Sequence, residues 1–259
     1  MKTLTSLLLI LAFAAAHAQQ KIIWPKHKKA VIVLTYDDAI KSQLNIAAPQ
    51  LDSAGLKATF FLTGEINSQT IPQWRKLSKE GHELANHTLF HPCSTAEDTP
   101  VSSDHYTPYT MIREIDVMNH LLYAVDGQTG PRTYAYPCTE TSVGGKDYVD
   151  TLKKYGVAKY ARIGGGEMEA VISDFAHLDP LKVPSYGLEQ GTSAYKLIDF
   201  VKKVEEKGGM GIFMFHGVGG DYITTSADAH RALLAYLKQD KNIWITTFQQ
   251  AMDYVSKQK

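Results

Sequence analysis

Short apolar runs alternate along this chain with longer segments in which apolar residues recur every three or four positions. The short, often β-branched runs predict strands, and the longer period predicts amphipathic helices. The predicted strands are 30–36, 58–62, 82–86, 132–136, 157–163, 210–215 and 243–246. The predicted helices are 42–53, 71–80, 108–125, 146–155, 194–206, 226–238 and 248–256. The stretch between 164 and 193, which contains Pro180 and Pro184, is predicted to be irregular.

Seven or so strands that alternate with helices, without a long linker, predict one parallel α/β domain with helices outside. A doubly wound sheet has the same alternation, but dinucleotide chemistry would need a Gly-rich turn after the first strand, where Asp37 and Asp38 stand instead. Polar residues follow several different strands, as they do at the catalytic end of a barrel. We therefore predict a single-domain, distorted parallel (β/α) barrel of about seven strands.

Charge and the N-terminal segment narrow the choice of partners and compartment. Lys plus Arg and Asp plus Glu number 27 each, so nothing predicts binding to nucleic acid or anionic lipid, and a neutral partner fits better. Lys2, the apolar run 7–16 and the sequence Ala16-His17-Ala18 predict a signal peptide over 1–18, too short to span a bilayer. The domain then occupies 19–259, and we expect a periplasmic or secreted protein with no stable membrane insertion.

Two adjacent carboxylates end the first predicted strand. Uncompensated carboxylates are costly where a strand enters a core, so Asp37 and Asp38 indicate a cation, a hydrogen-bond network or a catalytic task. The alternative is that Asp38 only caps the following helix. That alternative accounts for one Asp and leaves the other unexplained.

Histidines follow two other strands. His87 and His91 come after the third strand, and Pro92 disfavours a helix there, which predicts a loop. With one of the two carboxylates they predict a His-His-Asp site for a divalent metal, Zn²⁺ above all, with Co²⁺ or Ni²⁺ possible. The other carboxylate is then available as a base. His216 ends the strand 210–215 and suits proton donation to a leaving group, although a histidine can also simply cap a core strand.

The segments Thr35-Tyr-Asp-Asp38, His87-Thr-Leu-Phe-His91, Tyr136-Pro137 and Met214-Phe-His216 occur in this order over nearly all of the mature chain. Together they resemble the motifs of the NodB-like polysaccharide deacetylases, carbohydrate esterase family 4. The resemblance implies a distorted barrel and hydrolytic removal of acetyl groups from N-acetylated sugars of a polysaccharide or oligosaccharide. It further implies Asp37 as general base, His216 as general acid and the backbone N–H of Cys138 as oxyanion donor. The implied metal ligands are Asp38, His87 and His91.

The chain also departs from the family pattern. The third motif usually begins with an arginine that orients the base, and this chain has Ala135 there. Arg162, after the next strand, is a candidate replacement and Arg132 a weaker one, although Arg162 can equally be a surface or salt-bridge residue. The Asp-Trp pair that tunes the acidic histidine has no clear match. Asp174 and Asp179 lie in the right region.

Other assignments stay open at the level of the sequence. Tyr186 and Tyr222 are candidates for stacking on sugar rings, and Tyr136 is a candidate oxyanion or substrate contact, although core or surface roles are more common for any one tyrosine. Cys93 and Cys138 would share one rim of the barrel, where they form a disulfide or remain two thiols. Alternative functions are an O-acetyl esterase acting on xylan-like chains, a catalytically impaired carbohydrate-binding protein, and a non-heme iron oxygenase with the same ligand types.

Overall fold

Seven parallel strands close into a ring in the computed structural model, which describes residues 22–95 and 99–258. The strands in chain order are β1 (Ala30–Asp37), β2 (Thr59–Leu62), β3 (Glu83–Asn86), β4 (Arg132–Ala135), β5 (Ser142–Val143), β6 (Lys146–Asp147), β7 (Ala158–Gly165), β8 (Val171–Ile172), β9 (Val183–Gly187), β10 (Met210–Phe215) and β11 (Ile243–Thr246). The ring runs β1-β2-β3-β4-β7-β9-β10 and returns to β1. The predicted single-domain (β/α) barrel is confirmed.

Helices cover the outside of the ring. They are α1 (Ala48–Ala54), α2 (Ile71–Lys79), α3 (Pro108–Asp126), α4 (Val149–Tyr155), α5 (Ala194–Lys207), α6 (Ala227–Gln239) and α7 (Phe248–Gln258). A π-helical turn, Gln43–Ala47, leads directly into α1. The longest helix, α3, starts with Pro108 behind the capping residue Thr107 and ends at Gly127, whose φ of 75° stops the helix.

Two predicted elements differ from the structure in ways that explain why the barrel is distorted. The predicted strand 243–246 forms β11 but lies beside the ring, where it pairs with the first half of β1, from Ala30 to Val33. The second half of β1 pairs with β2 instead. The seventh ring strand is β9, inside the stretch predicted to be irregular. The sequence does not predict β9 as a strand because it contains Pro184, and proline is uncommon in strands inside a sheet.

The predicted helix 146–155 is also shorter than expected. Residues 146–147 pair with 142–143 in a small hairpin, and helix α4 begins only at Val149. The two residues between these strands, Gly144 and Gly145, both have positive φ angles, 53° and 71°. This backbone suits a two-residue hairpin turn, which glycine adopts without steric cost.

Alternation along the strands sorts side chains into two layers. In β1, Ile32 and Leu34 belong to the core beneath the helices, whereas Val31 and Val33 belong to a second core with residues of the other ring strands. Because side chains alternate between the two faces of a strand, every second residue from Val31 faces the barrel interior. Val31, Val33 and Thr35 are followed in that interior row by Asp37, two residues after Thr35 along the chain.

The signal peptide predicted over 1–18, and the start of the mature chain at residue 19, lie outside the described residues. Within 22–95 and 99–258, no helix combines the length and the apolar character needed to cross a membrane.

Candidate active site

The same interior row brings polar side chains to one end of the barrel. Ala85 of β3, Tyr160 of β7 and Ile212 of β10 lie in the interior core. Every second residue after them also faces the interior. Near the carboxyl ends of the three strands these interior positions are His87, Arg162 and His216. Asp37 occupies the corresponding end of β1. The fold therefore directs four titratable side chains from four strands to a common region.

Asp38 joins this group through an unusual backbone. Alternation alone would point it away from Asp37, but Asp38 and Ala39 have positive φ angles, 81° and 58°. Such left-handed conformations are strained for residues other than glycine and concentrate at functional sites. The turn brings Asp38 Oδ1 to 3.3 Å from His87 Nε2, and Asp37 Oδ2 lies 3.9 Å from the same nitrogen. Both carboxylates thus face one histidine.

Arg162 contacts the buried carboxylate of Asp37. Its Nη2 lies 2.5 Å from both carboxylate oxygens, and its Nη1 donates to Ser185 Oγ at 3.1 Å. Arg162 is 1% exposed and Asp37 is 2% exposed, so water screens this ion pair little. Arg132 is bound elsewhere, with Nη1 and Nη2 donating to the carboxylate of Asp126. Of the two arginines left open by the sequence, only Arg162 reaches Asp37.

The two histidines lie in a loop after β3, as predicted, and their Nε2 atoms are 3.1 Å apart. His87 Nδ1 is 2.8 Å from the backbone oxygen of Ala135, so Nδ1–H donates there and Nε2 faces the carboxylates. His91 Nε2 lies 3.4 Å from Asp38 Oδ1. Asp38, His87 and His91 thus each offer one possible ligand atom, and these three atoms all lie within 4.8 Å of one another.

The pKa shifts follow from this crowding. Burial acts to raise the pKa of Asp38, but contact with His87 and the positive charges of His87, His91 and His216 outweigh it and lower the pKa. Burial acts to lower the pKa of His87, and the Asp37 and Asp38 carboxylates raise it overall. Burial and the charge of His87 lower the pKa of His91 to about 4. Protonation of His87 is thus favoured by the two carboxylates, whereas protonation of His91 beside it is disfavoured.

These three residues suit a divalent metal. Two imidazole nitrogens and one carboxylate oxygen are typical ligands of Zn²⁺, and such sites leave positions open for water or substrate. The hydrogen bond from His87 Nδ1 to a backbone carbonyl is the usual way in which a metal-binding imidazole is oriented. Cys93 and Cys138 also lie close to His91, but their sulfur atoms are bonded to each other.

His216 completes this end of the barrel. Its Nε2 lies 3.8 Å from Asp38 Oδ2. Its Nδ1 is buried, and among the described residues no hydrogen-bond partner is found for it. Asp174 instead contacts His177 Nδ1 at 2.7 Å, and Asp179 accepts from the backbone N–H of Leu181. Neither aspartate considered from the sequence pairs with His216.

A disulfide joins Cys93 to Cys138, which settles the open choice between a bridge and two thiols. Cys93 lies two residues after His91, and Cys138 lies in a 3₁₀ turn, Pro137–Thr139. The first N–H groups of a helical turn have no acceptor inside it, which leaves the Cys138 N–H available to a ligand. The bridge therefore connects the loop of the histidines to the turn of the predicted oxyanion donor.

The three tyrosines selected from the sequence have different surroundings. Tyr136 is 2% exposed, and its ring lies 4.9 Å from Tyr134 and 5.4 Å from Tyr148 in a third core cluster, which includes side chains of α3 and α4. Tyr186 packs on Phe200 of α5, outside the ring. Tyr186 occupies an outward position of β9, and Tyr136 directly follows the interior-facing Ala135, so alternation turns both rings away from the site. Neither ring therefore lies among the side chains gathered at the site.

Tyr222, in contrast, reaches the site. Its hydroxyl donates to Asp38 Oδ2 at 2.7 Å, and its ring is 51% exposed. Burial and the charge of Asp38 raise the pKa of Tyr222, so the hydroxyl keeps its proton and remains a donor. Tyr222 lines a cleft of about 520 Å³ whose other lining residues include Asp38, His91, Glu65 and Asn67.

Several residues that hold the site were not identified from the sequence. Glu114 of α3 accepts from the backbone N–H groups of Leu89 and Phe90 through Oε1, at 3.1 and 3.0 Å, and so fixes the loop between the histidines. Ser185 supports Arg162, and Gln43 contacts two strand ends. No local pattern marks these residues: apart from the contact between Gln43 and Asp37, six positions away, their partners are 23 to 173 positions distant along the chain.

The family model described as "Polysaccharide deacetylase" matches residues 25–160, more than half of the chain. A stretch of 99 residues is 33% identical to the peptidoglycan-N-acetylglucosamine deacetylase of Bacillus cereus, and it covers 37% of this chain. The match spans only 33% of that relative's length.

Solved structures share the fold at low sequence identity. A Mycobacterium smegmatis protein proposed to be a polysaccharide deacetylase superposes with a TM-score of 0.65 at 16% identity, covering 92% of this chain and 94% of the other. The catalytic domain of a peptidoglycan N-acetylglucosamine deacetylase from Eubacterium rectale gives 0.57 at 17% identity, covering 90% and 93%. On the match of the family model, the chain belongs to the polysaccharide deacetylase family.

Proposed function

We propose that this protein is a metal-dependent hydrolase that removes acetyl groups from N-acetylated sugars of a polysaccharide or oligosaccharide. One observation carries the proposal: Asp38, His87 and His91 converge beside Asp37, whose carboxylate is held by the buried Arg162. A structural role accounts poorly for this group at the strand ends, in which Asp37, His87 and Arg162 are buried and Asp38 and His91 are partly buried, because burying charged groups is costly unless they are paired.

The proposed ligands are Asp38, His87 and His91, and Zn²⁺ is the metal that fits this set best, with Co²⁺ or Ni²⁺ as alternatives. When bound, such a cation supplies Lewis acidity and makes water a stronger acid near neutral pH. Asp38 is suited to ligation because its Oδ1 faces both histidines while Oδ2 accepts from Tyr222.

Asp37 is the proposed general base. Its Oδ2 lies 3.9 Å from His87 Nε2, next to the ligand atoms, so it is close enough to take a proton from a water molecule in the site. Arg162 fixes the direction of the carboxylate and balances its charge. This contact supports catalysis over the alternative of a catalytically impaired binding protein, which rested on the arginine missing from the third motif.

His216 is the proposed general acid, and it would donate a proton to the amine that leaves. Its Nε2 faces Asp38 Oδ2, on the side of that carboxylate that also contacts Tyr222. The backbone N–H of Cys138 is the proposed donor to the oxyanion, and a donor of this kind is typically worth about 3 kcal/mol in the transition state.

The substrate class rests on the relatives and on the cleft. The Bacillus cereus relative is named for deacetylation of N-acetylglucosamine in peptidoglycan. We propose a substrate of the same class, a chitooligosaccharide or peptidoglycan-like glycan, in the cleft lined by Asp38, His91 and Tyr222. The half-exposed ring of Tyr222 offers a face on which a sugar can stack.

We also propose that 1–18 is a signal peptide and that 19–259 forms the polysaccharide deacetylase domain, which acts in the periplasm or outside the cell. A polymeric glycan substrate agrees with this location. N-terminal sequencing of protein recovered from the periplasm or medium is expected to begin near Gln19. Recovery of an uncleaved chain from the cytoplasm would contradict the location.

Acetate release tests the proposed activity. The purified protein is incubated with N-acetylglucosamine oligomers, peptidoglycan and acetylated xylan, with chelator and again after zinc is restored. We expect release from the N-acetylated glycans, loss with chelator and recovery with zinc. Release from acetylated xylan alone would instead establish the O-acetyl esterase, and sugar binding without acetate release would establish the binding protein.

A further inference from the structure

Gln43 connects the backbones of the proposed base and the proposed acid. It is fully buried, and its side-chain Nε2 donates to the carbonyl oxygen of Asp37 at 2.5 Å and to that of His216 at 3.2 Å. These two residues lie 179 positions apart in sequence on neighbouring strands, each one step beyond the last paired residues of β1 and β10, Tyr36 and Phe215. The side-chain amide of Gln43 therefore links β1 and β10 just beyond the last residues that pair between them.

The backbone that carries Gln43 is itself unusual. Gln43 is the first residue of the π-helical turn that leads into α1. Isolated π-helical turns are rare within α-helices and occur often at functional sites. The preceding residue adds two contacts to the loop after His216: Ser42 Oγ accepts from the Val218 N–H at 3.1 Å, and the Ser42 N–H donates to Asp221 Oδ2 at 2.7 Å.

We propose that Gln43 is a positioning residue that fixes the distance between Asp37 and His216. The inference rests on the proposed function, because it assigns Gln43 to the same reaction. In the proposed reaction Asp37 takes a proton from water and His216 gives one to the leaving amine, so a change in their separation lowers the rate even when each side chain is intact. A displacement of about 1 Å at such a site can cost on the order of 100-fold in rate.

The contacts of Gln43 also predict what its loss leaves unchanged. Gln43 bonds to backbone carbonyls of Asp37 and His216 and not to the side chains of Asp38, His87 or His91. Substitution is therefore expected to reduce kcat by 10- to 100-fold, with KM and the dissociation constant for zinc changed less than threefold. A residue that merely stabilised the fold would lower the melting temperature without this split between kcat and KM.

Gln43→Met tests the proposal, because it keeps the length of the side chain and removes the donor. Gln43→Asn is the second variant, since it retains an amide that is too short to span both carbonyls. The matched control is Gln50→Met. Gln50 lies seven residues later, in α1, and likewise donates through Nε2 to a backbone carbonyl, that of Ala227, but it contacts α6 and not the catalytic strands.

Each variant is measured for kcat and KM on N-acetylglucosamine oligomers, for zinc affinity by calorimetry and for thermal unfolding. We expect both Gln43 variants to lose kcat while zinc affinity is retained, and Gln50→Met to keep the wild-type kcat despite lower stability. A wild-type kcat in the Gln43 variants, or an equal loss in Gln50→Met, would overturn the inference. A wild-type protein that releases no acetate would overturn the proposed function first, and this inference with it.

Discussion

Arg162 shows how an arginine on a different strand can reach the carboxylate of the proposed base, Asp37. The family pattern places an arginine at the start of its third motif, on β4, where this chain has Ala135. Arg162 lies on the adjacent strand β7, paired with Ala135 in the ladder, and it faces the barrel interior as Asp37 does. Because an arginine side chain has to cross the barrel interior to reach Asp37, it can do so from β7 as well as from β4.

Replacing Arg162 by Met is expected to lower kcat/KM by about 100-fold, because Asp37 loses both its orientation and its counter-charge. Zinc affinity should change little, since Arg162 contacts none of the proposed ligands. Arg132→Met is the control: it breaks a different buried ion pair, with Asp126, and should reduce stability without changing kcat. Equal loss of kcat in both variants would show that Arg162 acts only through stability.

Tyr222 is expected to act on the metal site through its hydroxyl. Tyr222→Phe removes the hydrogen bond to Asp38 Oδ2 but keeps the ring, so zinc should bind about tenfold more weakly, as loss of a group that orients a metal ligand typically does. A competition titration with a zinc chelator measures the effect. Tyr195→Phe, on the exposed surface of α5, is the matched control. An unchanged zinc affinity in Tyr222→Phe would contradict this role.

At the scale of elements, the loops around the site are held by side chains more than by regular structure. Positive φ angles occur at Asp38 (81°), Thr88 (66°), His91 (50°) and Cys138 (49°), all beside the barrel mouth. Glu114 and the disulfide fix two of these loops. The sequence predicted the loop of the histidines through Pro92, but Glu114 could not be found, because it lies in the middle of a helix and its partners are backbone N–H groups.

The double variant Cys93→Ser, Cys138→Ser tests the contribution of the disulfide. The two cysteines are 45 residues apart, and closing a loop of that length stabilises a protein by about 4 kcal/mol in the chain-entropy estimate. We expect a comparable loss of unfolding free energy in urea. A change of under about 1 kcal/mol would contradict it. The mass of the unreduced wild-type protein provides the control, because it must lack the two thiol hydrogens.

Helix α6 gives the fold a dependence on pH through His230. Its Nε2 accepts from the Tyr36 hydroxyl and its Nδ1–H donates to Gln50 Oε1, both at 2.6 Å, so the neutral ring satisfies both partners. Burial lowers the pKa of His230 to about 3. The unfolded chain, with an ordinary pKa near 6.5, therefore binds a proton first as the pH falls.

This linkage predicts a loss of stability below pH 6.5 that continues towards the folded pKa. Between pH 7 and 5 His230 is expected to contribute a loss of about 2 kcal/mol to the free energy of unfolding. His230→Asn does not titrate, so its stability should fall by that much less over the same interval, although its stability at pH 7 is lower. Urea unfolding at both pH values provides the test, and parallel losses in the two proteins would exclude His230 as the source.

At the scale of the whole molecule, the sequence predicted the barrel and four of its interior polar positions because both depend on local patterns. Apolar runs mark strands, and a polar residue at the end of such a run is conspicuous. Which strands belong to the ring could not be predicted as well. Pro184 argued against a strand at β9, and no local pattern distinguishes β11, which lies beside the ring, from the ring strands. Arg162 could be selected only as one of two arginines, since the choice depends on which side chain crosses the interior.

Gln43 and Tyr222 illustrate the remaining limit. Gln43 lies within an amphipathic helical pattern, and its task appears only when β1 and β10 are placed side by side. Tyr222 was selected for its ring, yet its contact with Asp38 depends on the loop after His216. Its neighbour Asp221 has a left-handed φ of 60°, which the sequence does not predict. Pairing between distant strands, more than local propensity, determines these positions.

Acetate release by zinc-loaded Asp37→Asn separates the two roles proposed for the paired carboxylates, with Asp37 as the base and Asp38 as a metal ligand. Zinc content is measured on the same sample, with Asp38→Asn as the companion variant. We predict that Asp37→Asn binds zinc like the wild type and loses acetate release by at least about 1000-fold, whereas Asp38→Asn loses zinc. Acetate release by Asp37→Asn at the wild-type rate would contradict the assignment of Asp37 as the base.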